Sequence, residues 1–158
     1  MKRSTSRIGA VSAAGLLAFT GMIFAGAPAQ AAGGCSRSQH KELSTSGYDV
    51  DIYVKMCIYY NGATYVGTAQ GYWQEAGGHK FDNFDVQARV EEFGWTKSRK
   101  TSDQTAEING RTADSFQVQA EWLSGQENGF TADGKITYNI NDDGKGDMVW
   151  NLAGSPAV

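Results

Sequence analysis

The alternation of apolar and polar residues predicts an all-β fold, an antiparallel β-sandwich or partly open barrel of seven to eight strands with one disulfide. Three observations carry this. From Tyr48 onward, apolar residues recur at every second position in one stretch after another. Asn-Gly and Asp-Gly pairs at 61–62, 109–110, 133–134 and 143–144 punctuate those stretches as turn signals. The two prolines, Pro28 and Pro156, interrupt none of them, and no convincing amphipathic helix follows the leader.

Residues 1–31 read as a secretory signal. Lys2, Arg3 and Arg7 form a positive start, Ile8 to Phe24 is apolar, and Ala29-Gln30-Ala31 supplies the small residues that signal peptidase reads. The apolar run is too short for a permanent span. A lipoprotein reading of Ala32-Gly33-Gly34-Cys35 is the lesser option, because Ala32 stands where such sites carry a large aliphatic residue. Cleavage leaves residues 32–158 as a single all-β domain, long enough for its own core. The chain holds 14 basic and 17 acidic residues, and three of the basic ones leave with the signal, so the mature charge is −6. Such a surface repels phosphate backbones and anionic lipid, which argues against nucleic-acid binding.

Cys35 and Cys57 both fall in the exported part, where an even pair most simply forms a disulfide. The expectation is a bond that straps the N-terminal arm across the outer side of the first hairpin. Val50, Ile52, Val54, Met56, Ile58 and Tyr60 form the core side of that hairpin's first strand. A two-residue Asn61-Gly62 turn would set Tyr60 opposite Ala63, Ile58 opposite Tyr65 and Val50 opposite Trp73. The second strand then turns Tyr65, Gly67, Ala69, Gly71 and Trp73 inward, with room over its small residues for a bulky group from an opposing sheet.

The outer side of the same hairpin carries Tyr53, Tyr59 and Tyr72 among Thr64, Thr68 and Gln70, with Asp49 and Asp51 at one end. Aromatic faces stack on the C–H faces of sugars, and amides, hydroxyls and carboxylates satisfy sugar hydroxyls. The competing reading is that Tyr and Thr are simply good strand formers.

Gly77-Gly78-His79-Lys80 reads as a loop. Phe84, Val86, Ala88 and Val90 resume the inward alternation, and an extra residue at Glu91-Glu92 passes the apolar phase to Phe93 and Trp95 through a bulge. Residues 96–105 read as a solvated connection, and Ala106 and Ile108 as a short strand ending at Asn109-Gly110. Phe116, Val118, Ala120 and Trp122 form the next strand, 124–129 a loop and Asp133-Gly134 a turn. Ile136, Tyr138 and Ile140 then pair with Met148, Trp150 and Leu152 across a polar turn. Cys35 and Cys57 are too close, with no Trp between them, for an immunoglobulin pattern.

That last turn, "NINDDGKGD", resembles a calcium loop through Asn139, Asn141, Asp143 and Asp147, with Gly144 at the obligatory glycine position. Asn139 stands at the first ligand position and Trp150 at the twelfth, where a bidentate Glu belongs, and Lys145 adds a positive charge. A plain hairpin accounts for the same residues with fewer exceptions, so no cofactor is expected. His40 and His79 are the two histidines, and neither sits at a triad spacing; no GxSxG or HExxH occurs. Asp49, Asp51, Asp85, Glu91 and Glu92 are formal candidates for a hydrolytic carboxylate pair, but alternate acidic residues are ordinarily a solvated face. The functional expectation is a secreted, non-enzymatic module that binds an extracellular glycan or cell-wall polymer through Tyr53, Tyr59, Tyr72, Thr68, Gln70 and Asp51. Its rivals are a secreted protein-binding factor or inhibitor acting through a loop such as 124–129, and a weak hydrolase.

Overall fold

Nine strands and one short helix make up the described residues, arranged as two antiparallel sheets. The computed structural model describes residues 33–124 and 128–158; the signal expected over residues 1–31 lies outside them. One sheet is built from β1 (Gly33–Cys35), β2 (Gln39–Leu43), β3 (Val50–Tyr60), β4 (Thr64–Gln74) and β7 (Asp114–Leu123). Both β1 and β2 pair with β3, and the order continues through β4 to β7. The other sheet runs β6 (Trp95–Asp103), β5 (Phe81–Glu92), β8 (Phe130–Ile140), β9 (Met148–Asn151). Helix α1 (Thr105–Gly110) joins β6 to β7.

The core lies between the sheets, where the alternation said it would. Ile52, Met56 and Ile58 of β3 meet Phe84, Val86, Ala88 and Val90 of β5 and Ile136 of β8, all fully buried. The C-terminal segment closes one side. Phe130 and Val158 exchange backbone bonds, Ser155 bonds Ala132, and the Gln39 side chain clasps both backbone groups of Ala153. Residues 152–158 therefore tie the Phe130–Gly134 part of β8, which β9 leaves uncovered, to the β2 edge of the other sheet. The Cys35–Cys57 bond forms as expected, with a correction to its geometry. Cys35 is the direct cross-strand partner of Cys57, so the arm runs beside β3 rather than across its face. The free edge of β3 offers the arm backbone hydrogen bonds that the outer face does not.

The β3–β4 register differs from the expected one by two residues: Tyr60 faces Tyr65, Ile58 faces Gly67 and Ile52 faces Trp73. Asn61 is the residue before the two-residue turn, not its first member. Its Oδ1 accepts from the backbone of Ala63 and Thr64, and Gly62 takes the positive φ of 93° at the first central position, as a type II′ turn requires. A shift of two leaves every side chain on its expected face.

Other local readings are corrected. Asp133-Gly134 lies inside β8, where Gly134 faces Ala88 and a Cβ would run into the Gln87 carbonyl and the Met56 side chain. That glycine serves close packing, not a turn. Residues 95–103 are a strand at a sheet edge, which needs no apolar face. Ala106 and Ile108 belong to α1, just before which the Asp103 carboxylate accepts from Thr105 N–H. A helix of six residues is too short to show its period. The bulge beside Glu91 is present, as a register shift between Val90 and Glu91. Phe93 and Trp95 do not continue the core, however: Phe93-Gly94 is a two-residue turn with both φ positive, and both aromatics project outward. Of the small residues on β4, Gly67 is approached from the opposing sheet by the Arg89 backbone and Val90. Gly71 instead makes room for the Phe116 ring from the neighbouring strand β7.

Candidate functional site

The corrected register sets Tyr53 of β3 directly opposite Tyr72 of β4, on the outer face of the first sheet. Their rings stack at 4.8 Å between centroids and 14° between planes. On the other side of Tyr53, the His40 ring of β2 stacks at 4.4 Å and 13°. His40 Nε2 lies 2.5 Å from Asp51 Oδ1, so one carboxylate holds the histidine in the ladder. The stack runs across three strands, His40–Tyr53–Tyr72. Cross-strand aromatic pairs of this kind each contribute about 0.5–1.5 kcal/mol beyond their burial.

The ladder ends at Tyr72, whose neighbour on β7 is Ser115. A serine is too short to cover a tyrosine ring, and Tyr72 is 43% exposed. Beside the ladder lies a shallow cavity of about 350 Å³, bounded by Ser38, Tyr53, Lys55, Gln70 and Tyr72. Gln117 of β7 faces Gln70 and extends the amide-bearing surface. Partial burial and the neighbouring Asp51, Tyr72 and Glu42 push the Tyr53 phenol above its ordinary value.

Not every expected residue joins this group. Tyr53, Tyr72, Gln70 and Asp51 come together. Tyr59 is exposed but lies six residues along β3 from Tyr53, about 20 Å away at strand spacing, with its hydroxyl near Cys35 Sγ. Thr68 is 1% exposed between Cys57 and Gln119, and its hydroxyl has no partner among the described residues; it presents nothing to the surface. His40, Ser38 and Lys55 were missed. The alternation of His40 and Glu42 against Lys41 and Leu43 is the one signal that could have revealed β2, and no sequence rule predicts Ser38.

Residues 141–147 connect β8 to β9, and the hairpin pairs Ile136 with Trp150 and Tyr138 with Met148. The Asn141 side chain donates to His79 O, Asp143 Oδ1 accepts from Lys145 N–H, and Lys145 Nζ lies 3.9 Å from Asp143 Oδ2. Asn139 sits within β8, opposite Asn83, and Asp147 is exposed. The four candidate calcium ligands are thus spread over a strand and a turn. No group of three or more His, Cys, Asp or Glu is arranged to hold a metal among the described residues.

A different surface appears at the end of the sandwich where Thr64 pairs with Leu123 and Glu92 with Phe130. Phe93, Trp95 and Leu123 are each about three-quarters exposed there, and Trp122 is partly so. They flank the 124–129 loop, of which residues 125–127 lie outside the described residues. Among the described residues no helix is long and apolar enough to cross a membrane. Compared with models of protein families, with curated proteins and with solved structures, the chain matches none.

Proposed function

We propose that this is a secreted, non-enzymatic binding module whose ligand is an extracellular glycan or cell-wall polymer. The observation that supports it best is the open Tyr72 ring at the end of a stacked ladder, beside a cavity edged by an amide, an ammonium and hydroxyls. A sugar ring would lie over Ser115 with its C–H face on Tyr72. Its hydroxyls would reach Gln70, Gln117, Lys55 and Ser38. His40 and Tyr53 pre-set the angle of Tyr72, so little ordering cost falls on binding. Export fits a disulfide that forms in an oxidising compartment. The test is retention on a panel of insoluble polysaccharides. Tyr72→Ala should abolish retention and lower stability only modestly, by about 0.5–1.5 kcal/mol for the lost stack on Tyr53. Retention unchanged by Tyr72→Ala and Gln70→Ala would remove this face from consideration.

The apolar end favours a second reading, a protein-binding factor. Three large exposed apolar side chains around one loop exceed the scattered singles of an ordinary surface. Capture of a protein from culture fluid by the native chain but not by a Phe93→Ser, Trp95→Ser variant would support it. Glycan retention should be indifferent to that pair.

A further inference from the structure

The loops at the opposite end line a second, open cavity of about 480 Å³. Leu43 pairs with Val50, Asp51 with Gln74 and Trp73 with Asp114, which gathers residues 44–49, 75–80 and 111–113 at one place. The lining includes Tyr48, Glu75, Gly77, Gly78, Lys80 and Thr112. The loops are tied together by backbone bonds from Ala76 N–H to Thr112 O and from Gly77 N–H to Ile108 O. This volume falls within the range of small-molecule sites.

Lys80 is the unusual member. It is 9% exposed, and its ammonium donates to two backbone carbonyls, Tyr48 O at 2.6 Å and Glu75 O at 2.7 Å. An ammonium has three N–H donors, so the third has no partner among the described residues. No carboxylate forms an ion pair with it there either. Carbonyls solvate a cation but do not neutralise it, and a buried charge without a counter-charge is costly. An anion in the cavity would supply both the missing acceptor and the missing charge.

We propose that this cavity binds a small monoanionic organic carboxylate, held by the Lys80 ammonium, with its apolar body against the Tyr48 ring and the Gly77–Gly78 backbone. One cation balances one negative charge. A dianion would carry an uncompensated charge past Glu75 on the same lining. The Thr112 hydroxyl offers a further donor to the carboxylate.

Amide NMR with benzoate, its neutral counterpart benzamide, and inorganic sulfate tests this. Benzoate should shift the Gly77, Gly78 and Thr112 amides saturably, and benzamide should not. Lys80→Met should weaken benzoate by about tenfold or more, the loss of a charge-assisted bond. Tyr48→Ala should weaken it as well, and its ring is 77% exposed, so the fold does not depend on it. Equal binding of benzamide, or wild-type affinity in Lys80→Met, would overturn the proposal. Sulfate shifting the same amides as strongly would mark an adventitious ion only, and would also overturn it. If Lys80→Met fails to fold, Tyr48→Ala and the benzoate–benzamide comparison still decide.

Discussion

Tyr53 carries most of the local information at the outer sheet face. Stacked between two rings and beside Asp51, it favours its neutral form in the fold, above the ordinary phenol value of 10.0. A raised value means that its contribution to stability is complete below about pH 10 and is lost as pH rises through the higher folded value. The difference in phenolate absorbance between wild type and Tyr53→Phe should therefore isolate a step above the ordinary phenol value. If the step lost in Tyr53→Phe lies at the ordinary phenol value, the ladder is open to solvent and the angle of Tyr72 is not set by its neighbours. Two carboxylates run the other way. Hydrogen bonds from Thr105 hold Asp103 below its ordinary value, and the Ser115 backbone and then Arg111 do the same for Asp114. Their contribution is present above about pH 4 and fades as pH falls, weakly because both are solvated.

Among the elements, the β5–β6 hairpin departs furthest from its own sequence logic. A turn with both φ positive favours Asn-Gly, and here Phe93 occupies the first position at φ 50° with an exposed ring. Phe93→Asn should therefore stabilise the protein, by roughly 0.5–1 kcal/mol, through relief of a left-handed bulky residue. A denaturant midpoint that falls instead would mean that the contact of the Phe93 ring with Gly129 outweighs the backbone strain. Glycines that look alike in sequence separate at this scale. Gly134→Ala should cost about 1–3 kcal/mol or more by overpacking against the Gln87 backbone. Gly144→Ala meets no atoms within 4 Å, and only its φ of 68° resists it, for roughly 1 kcal/mol. Equal losses at both would show that β5 and β8 do not approach as closely at Gly134 as described.

For the whole molecule, the two sheets are joined by their core and by the C-terminal strap, and a disulfide fastens β1 to β3 within one sheet. Cys35 and Cys57 are 22 residues apart, so reduction should lower stability by roughly 3 kcal/mol through the freed chain entropy. A denaturant midpoint that barely moves on reduction would show that strand pairing alone secures β1. What the sequence by itself determined is the β class, the core faces of β3, β4, β5, β7 and β8, and the cysteine pair. Those follow from a period of two and from a count, both of which are local properties. The polar strand β6, the helix α1 and the packing role of Gly134 were not legible. An edge strand needs no apolar face, six residues make fewer than two helical turns, and a glycine's use depends on what stands beside it in the fold. The candidate site divides in the same way. Its residue types and face were readable, since a register error of two preserves faces. The pairing of Tyr53 with Tyr72, the closing of the ladder by His40 and the burial of Lys80 were decided by the tertiary structure, because each depends on which residue of another strand or loop stands opposite.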